Sequence, residues 1–209
     1  MSIVDRAKNI LVKPADEWVV ITDEPATVSG LFTGYAIPLM LLPFLGTIIA
    51  MGALSIGTNN LAGIGMASIG LVGAAAIAVV GLVMGFVMLY AMILIVNAVS
   101  PSFNGRSDMV QSTKLMTYAS TPVWVVGLIT PFLGIIGGLL GFAAVAYVVY
   151  LIYLGLPKVL SVPPEKVAGF TVVTVLIYIV LSFFLTVFIG GMLLASFGGA
   201  MMAGAMAGA

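Results

Sequence analysis

The chain has 209 residues, 62% of them hydrophobic and only 7% charged, with seven Lys or Arg balanced by seven Asp or Glu and with neither His nor Cys. The missing Cys and His exclude disulfides, thiolate nucleophiles, imidazole bases and the usual zinc or haem ligand sets, and a neutral chain with no basic run excludes a nucleic-acid surface. A soluble domain is about 25% charged, so this composition, with a mean hydropathy of +1.29, makes lipid the solvent for most of the chain.

The first 24 residues carry eight charges and no apolar stretch of signal-peptide length, so no cleavable signal is expected and the first span would act as an uncleaved anchor. Ile3, Val4, Ala7, Ile10 and Leu11 recur at helical spacing, with Asp5, Arg6, Lys8 and Asn9 on the other face. This predicts an amphipathic stretch in the headgroup plane. Pro14 ends it and suits the first turn of a second short helix over residues 15–22, with Trp18 at interface depth. Asp23, Glu24 and Pro25 then break that helix, and residues 1–29 form one N-terminal segment. The segment holds five acidic residues against three cations. Glu17, Trp18, Asp23 and Glu24 are therefore candidate interfacial contacts, either docking on the basic loops or lying on a solvated face. Exposed ion pairs are worth only about 0–1 kcal/mol, which favours the solvated face.

Beyond the segment, the cations fall at Arg106 and Lys114 and at Lys158 and Lys166, and residues 25–105, 115–157 and 167–209 have no basic residue and no acidic one. A Lys or Arg at the middle of a membrane helix costs roughly 2.5–3.5 kcal/mol, so charges mark the loops. A crossing needs about 20 apolar residues. The runs divide at the polar Ser55–Asn60 stretch and at the Thr130–Pro131–Gly134 turn, which predicts five spans at about residues 30–53, 69–98, 115–131, 135–156 and 168–194. Residues 196–209 are left as a short uncharged tail of the five-span domain 30–195. All cations then share one side, giving a cytoplasmic N-terminus and an outside C-terminus.

Within the spans, Pro38 and Pro43 interrupt the first and Pro122 and Pro131 the third, and each of those spans begins near a Tyr, Tyr35 or Tyr118. Proline in a membrane helix frees a backbone carbonyl, and a broken helix in each half would resemble the repeats of many transporters. Kinked helices that simply fit together are the plainer reading. Gly81 with Gly85, and Gly134, Gly137, Gly138 and Gly141, give small-xxx-small spacing suited to close helix contact. Asn97 is the most polar residue placed in a span, and no charged residue falls inside any predicted span, which argues against proton-coupled or charge-selective passage. Tyr147, Tyr150 and Tyr153 read as an interfacial belt. Ser112 near Lys114 would need an oxyanion hole and a shielded Lys to be a catalytic pair, so a loop Ser beside a topology-setting Lys is the plainer reading, and no phosphate loop, metal spacing or hydrolase elbow occurs.

Several short elements together carry a resemblance. Lys13-Pro14 precedes Glu17-Trp18 and Glu24; Ser102-Phe103-Asn104-Gly105 looks like a Phe-Gly-Gly type turn; Tyr118-Ala119-Ser120-Thr121-Pro122 looks like a Tyr-x-x-x-Pro element; and a Tyr-rich helix leads to Gly155-Leu156-Pro157. In these the chain resembles the Yip1 family of five-span membrane proteins, in its short bacterial form. The chain contains no Asp-Leu-Tyr-Gly-Pro element, so the association of eukaryotic members with Rab GTPases is not carried over. The expected fold is an all-α polytopic membrane helix bundle of five transmembrane helices with an amphipathic N-terminal segment. The expected role is that of a non-enzymatic scaffold without cofactors, partnered by the lipid bilayer and by a homo-oligomer or membrane protein. The alternative is a small transporter or channel for a neutral or weakly polar solute, with Tyr35, Pro38, Pro43, Asn97, Tyr118, Thr121 and Pro122 along its path.

Overall fold

The computed structural model describes residues 1–57 and 70–207, with side chains for 1–50 and 75–191. Of the expected break at Ser55–Asn60, residues 55–57 still belong to a helix and 58–60 lie outside the described residues, as does the expected start of the second span. Among the described residues every regular element is helical.

Two short helices come first. Helix α1 (Ile3–Val12) starts at Ser2, whose hydroxyl accepts the Asp5 N–H, and it stops where Lys13 leaves helical geometry. Pro14 then opens α2 (Pro14–Asp23), a position where its missing N–H is no loss. Extended geometry at Glu24 ahead of Pro25 ends α2.

The next helix begins as α3 (Val28–Leu31), capped by Thr27. It widens into a π turn at Phe32–Ala36, where the Ile37 N–H reaches back to the Phe32 carbonyl, and continues as α4 (Ile37–Gly57). Pro38 has no N–H to offer the ladder, so the wide turn falls where an α-helical bond is already missing. Helix α5 (Gly70–Val99) follows, then a 3₁₀ turn at Ser100–Phe103 closed by Asn104 in left-handed geometry.

Helix α6 (Met109–Ala119) is capped by Asp108. It yields at Ser120 to α7 (Thr121–Gly127), which carries a proline in its first turn. A 3₁₀ turn at Thr130–Phe132 leads to α8 (Gly134–Val159). Gly134 has a φ of +52°, a backbone angle that a side chain would resist. Finally α9 runs Pro164–Ala207, so residues 196–207, expected as a tail, continue a helix.

Among the described residues, five helical stretches are long and apolar enough to cross a membrane: Val28–Ala50, Ala75–Phe103, Met109–Phe132, Gly134–Val159 and Pro164–Gly191. The third begins at Met109, so Lys114 lies within it rather than before it. The chain divides into two compact units, Met1–Thr171 and Val172–Ala209. In the first, α4 packs on α5 and α7, α6 on α5 and α8, and α2 on α8. Ile10, Trp18, Ile21, Leu115, Leu151 and Leu156 are fully buried in it. The N-terminal helices are thus part of this unit's core. The second unit is the remainder of α9.

Glycine sets the closest approaches, though mostly at positions other than those expected. A Cβ on Gly127 would come within 2.7 Å of Pro43, and one on Gly46 within 2.9 Å of the Gly127 carbonyl oxygen. Gly155 lies under Trp18, 2.9 Å from where a Cβ would stand. Of the expected group, Gly85 faces the Met40 methyl and Gly137 the backbone of Thr130, while Gly81, Gly134, Gly138 and Gly141 face open space. Spacing identifies a face narrow enough for close contact; it does not say that another helix lies against it.

Candidate functional site at the N-terminal segment

The buried stripe of α1 is Arg6, Ala7 and Ile10, with Val4 turned outward. This corrects the expected placement of Arg6 on the polar face. Arg6 lies three residues after Ile3 and four before Ile10, a helical spacing that was legible in the sequence. Its guanidinium donates to the Glu17 and Glu24 carboxylates, tying α1 to both ends of α2. It also sits over the Tyr118 ring, 5.5 Å from the centroid, a cation–π placement. Arg6 and Glu17 are both about 5% exposed. Burial of this kind is tolerable only because each charge meets its opposite.

Glu17 and Glu24 therefore meet Arg6 of their own segment. It is a cation that reaches back to the segment: Lys114 on α6 donates to the Thr22 and Glu24 carbonyls at 3.0 and 2.6 Å. Those carbonyls belong to the end of α2, whose negative dipole end suits an ammonium group. The Gln111 amide adds a longer bond to the Thr22 carbonyl, 3.4 Å. At 2% exposure, Lys114 is neither a loop cation nor free in lipid; the segment covers it. Asp23 is exposed, and Trp18 is fully buried with its indole N–H unpartnered.

Below Arg6 lie the two tyrosines. Tyr35, in the π turn, meets Tyr118 edge to face at 4.7 Å. Thr121 gives its only proton to the Tyr118 carbonyl at 2.7 Å. The Tyr35 hydroxyl, 2.9 Å from Thr121 Oγ1, must therefore be the donor of that bond. Above this pair a partly open cavity of about 510 Å³ extends between α1 and the first two turns of span one, with Arg6, Glu24, Tyr35 and Tyr118 in its wall.

The structure thus brings Tyr35, Tyr118 and Thr121 together and joins them to Glu17 and Glu24 through Arg6. Pro122 is buried at the start of α7 beside them. Pro38 and Pro43 lie deeper in span one and outside the cavity wall. Asn97 is elsewhere: its carbonyl oxygen accepts from the Ser107 and Ser112 hydroxyls at 3.4 and 3.3 Å, tying α5 to α6. Tyr147 donates to the Leu11 carbonyl at 2.9 Å, a further hold on α1.

Residues 8–187 match the family model of the Yip1 domain. The chain belongs to the Yip1 family. No curated protein and no solved structure matches it. The Yip1 domain takes in all five apolar stretches in whole or in large part, together with Glu17, Glu24, Tyr35, Lys114 and Tyr118. Arg6 precedes it by two residues, so the cation that joins the cluster comes from just ahead of the Yip1 match.

Proposed function

We propose that this Yip1-family membrane protein works without catalysis, as a scaffold that organises lipid or holds a partner through its N-terminal segment. The partner is a membrane protein or a second copy of the chain. The observation that carries this reading is the double fixing of the segment: Arg6 ties α1 to α2, and Lys114 ties the end of α2 to α6. A segment held this way offers a fixed outward face, on which Val4, Lys8, Val12, Lys13, Val19 and Val20 are exposed. Exposed Asp5, Asp16 and Asp23 outnumber the two lysines, so the valines suit a partner's apolar patch or the bilayer interface rather than a strongly anionic surface. The one-sided distribution of cations supports a cytoplasmic N-terminus, and the resemblance to the short bacterial form of the family supports a bacterial inner membrane.

Photo-crosslinking residues at Val12 and Val20, in native membranes, test the reading. Discrete adducts to a protein or to lipid headgroups are expected at both positions, and Arg6→Ala should scatter them by freeing the segment. An adduct pattern indifferent to Arg6→Ala would exclude a scaffold built on the fixed segment.

One observation favours a second reading, a transporter for a neutral or weakly polar solute: the cavity that ends on Tyr35 and Tyr118. Solute flux in reconstituted vesicles that falls in Tyr118→Ala would select this reading over the scaffold.

A further inference from the structure

One face of α6 is polar where it meets the N-terminal helices. Gln111, Lys114 and Tyr118 follow one another at three- and four-residue steps, which sets them on a single stripe. Gln111 and Lys114 reach the end of α2, and Tyr118 lies under Arg6 of α1. The segment follows the stripe deep into the bundle. Helix α1 packs on α7, and its Leu11 carbonyl accepts from Tyr147 at the middle of α8. Polar side chains on a membrane span face either a partner or a water-filled cavity. Here the partner serves them incompletely: Gln111 Oε1 and Trp18 Nε1 are buried with no hydrogen bond among the described residues, where a permanent seam would pair them. Beside Tyr118 the cavity of about 510 Å³ stays unfilled. Its hollow comes from Gly30 and Gly34, where an added Cβ would meet only the Thr27 hydroxyl among the described residues.

The ion pairs do not oppose separation of the segment from the bundle. Arg6 meets Glu17 and Glu24, all three within the segment, so α1 and α2 carry their own counter-charges. The described side-chain bonds from the bundle to the segment come from Gln111, Lys114 and Tyr147, and all end on backbone carbonyls. Water can replace each of those acceptors and each of those donors. We infer that the polar stripe is one wall of a vestibule that fills with water when α1 and α2 withdraw, and that the two helices are its plug. Burial of Ile10, Trp18 and Ile21 keeps the plug seated at rest. The vestibule ends on Tyr35 and Tyr118, which meet edge to face below α1. The plug concerns the inward face of the segment and the entry of water alone. It stands whether or not the outward face recruits a partner and whether or not a solute crosses.

The chain has no Cys, so a single introduced thiol reports on water. Leu115→Cys in lipid nanodiscs, where both faces meet solvent, tests the wall, because Leu115 is fully buried beside Trp18. A charged methanethiosulfonate should modify this thiol slowly in the otherwise native chain. The rate should rise at least tenfold when Lys114→Met and Tyr147→Phe together remove the holds from the bundle. Tyr147→Phe alone, the loss of one oxygen, should give an intermediate rate, and it keeps the question answerable if the double variant does not fold. Ile93→Cys, fully buried on α5, should stay unreactive throughout. Fast modification already in the native background, no acceleration in either variant, or acceleration at Ile93→Cys as well would overturn the plug. So would reaction with a neutral, lipid-soluble maleimide but not with the charged reagent, because lipid or a collapsed seam would then take the plug's place.

Discussion

A buried guanidinium persists only where its donors are matched, and Arg6 is matched twice. Removing it would strand Glu17, which is almost as deeply buried. Breaking a buried pair from one side costs about 3–5 kcal/mol, so Arg6→Ala should lower the melting temperature in detergent markedly and expose α1 to protease ahead of the bundle. Glu24→Gln should cost much less, because that side chain is part-exposed and Glu17 still satisfies Arg6. Lys114 is the complementary case. Lys114→Met would leave the Glu24 carbonyl without its donor and the Thr22 carbonyl with only the longer Gln111 bond, a loss of about 1–3 kcal/mol for a group left unsatisfied. The expected readout is faster amide exchange at the end of α2, with α8 unchanged.

Among the elements, α2 is held as much by shape as by charge. Trp18 lies on Gly155 with Leu115 alongside, an approach that any side chain at residue 155 would spoil. Gly155→Leu, in a Trp124→Phe background that isolates Trp18, should red-shift the indole emission as α2 lifts and water reaches the ring. An unshifted spectrum would mean that α2 does not depend on that contact. Glycines facing open space should behave oppositely. Gly81→Ala meets nothing within 4 Å among the described residues and should stabilise α5 by roughly 0.5–1 kcal/mol, the usual gain of Ala over Gly inside a helix. Gly127→Leu should destabilise, because α7 lies against Pro43 there. Thermal melts of this pair test whether contact, rather than sequence spacing, decides which glycines matter.

For the whole molecule, the proposed cytoplasmic N-terminus and outside C-terminus require an odd number of crossings, as the five apolar stretches among the described residues would give. Reporters fused ahead of Met1 and after Ala209 should therefore be active in different compartments, and reporters placed at Ser107 should agree with the N-terminal one. The same side for both ends would mean an even number of crossings.

Much of this architecture was legible without coordinates. The long apolar runs dictate an all-helical, five-span protein because a backbone in lipid must satisfy its own hydrogen bonds. Lys13-Pro14, Glu17-Trp18 and Tyr118 to Pro122 were enough to suggest the family. Glu17, Glu24, Tyr35, Tyr118 and Thr121 were singled out by type and position, yet as two separate groups. Nothing local joins them, since the Tyr35–Thr121 bond spans 86 residues and the Lys114–Glu24 bond 90. Lys114 was misplaced for a physical reason: charge marks a span boundary only when no other part of the protein offers that charge a partner.

Hydropathy and charge act segment by segment against the solvent, so the sequence alone decided the number of crossings, the helical class and the crowding of cations at the segment ends. Ion pairs and cavities depend on which segments meet. Only the tertiary structure, by folding α1 and α2 onto α6 and α8, decided that Arg6 and Lys114 are buried, that the two tyrosines share one floor, and that two glycines leave a hollow above it.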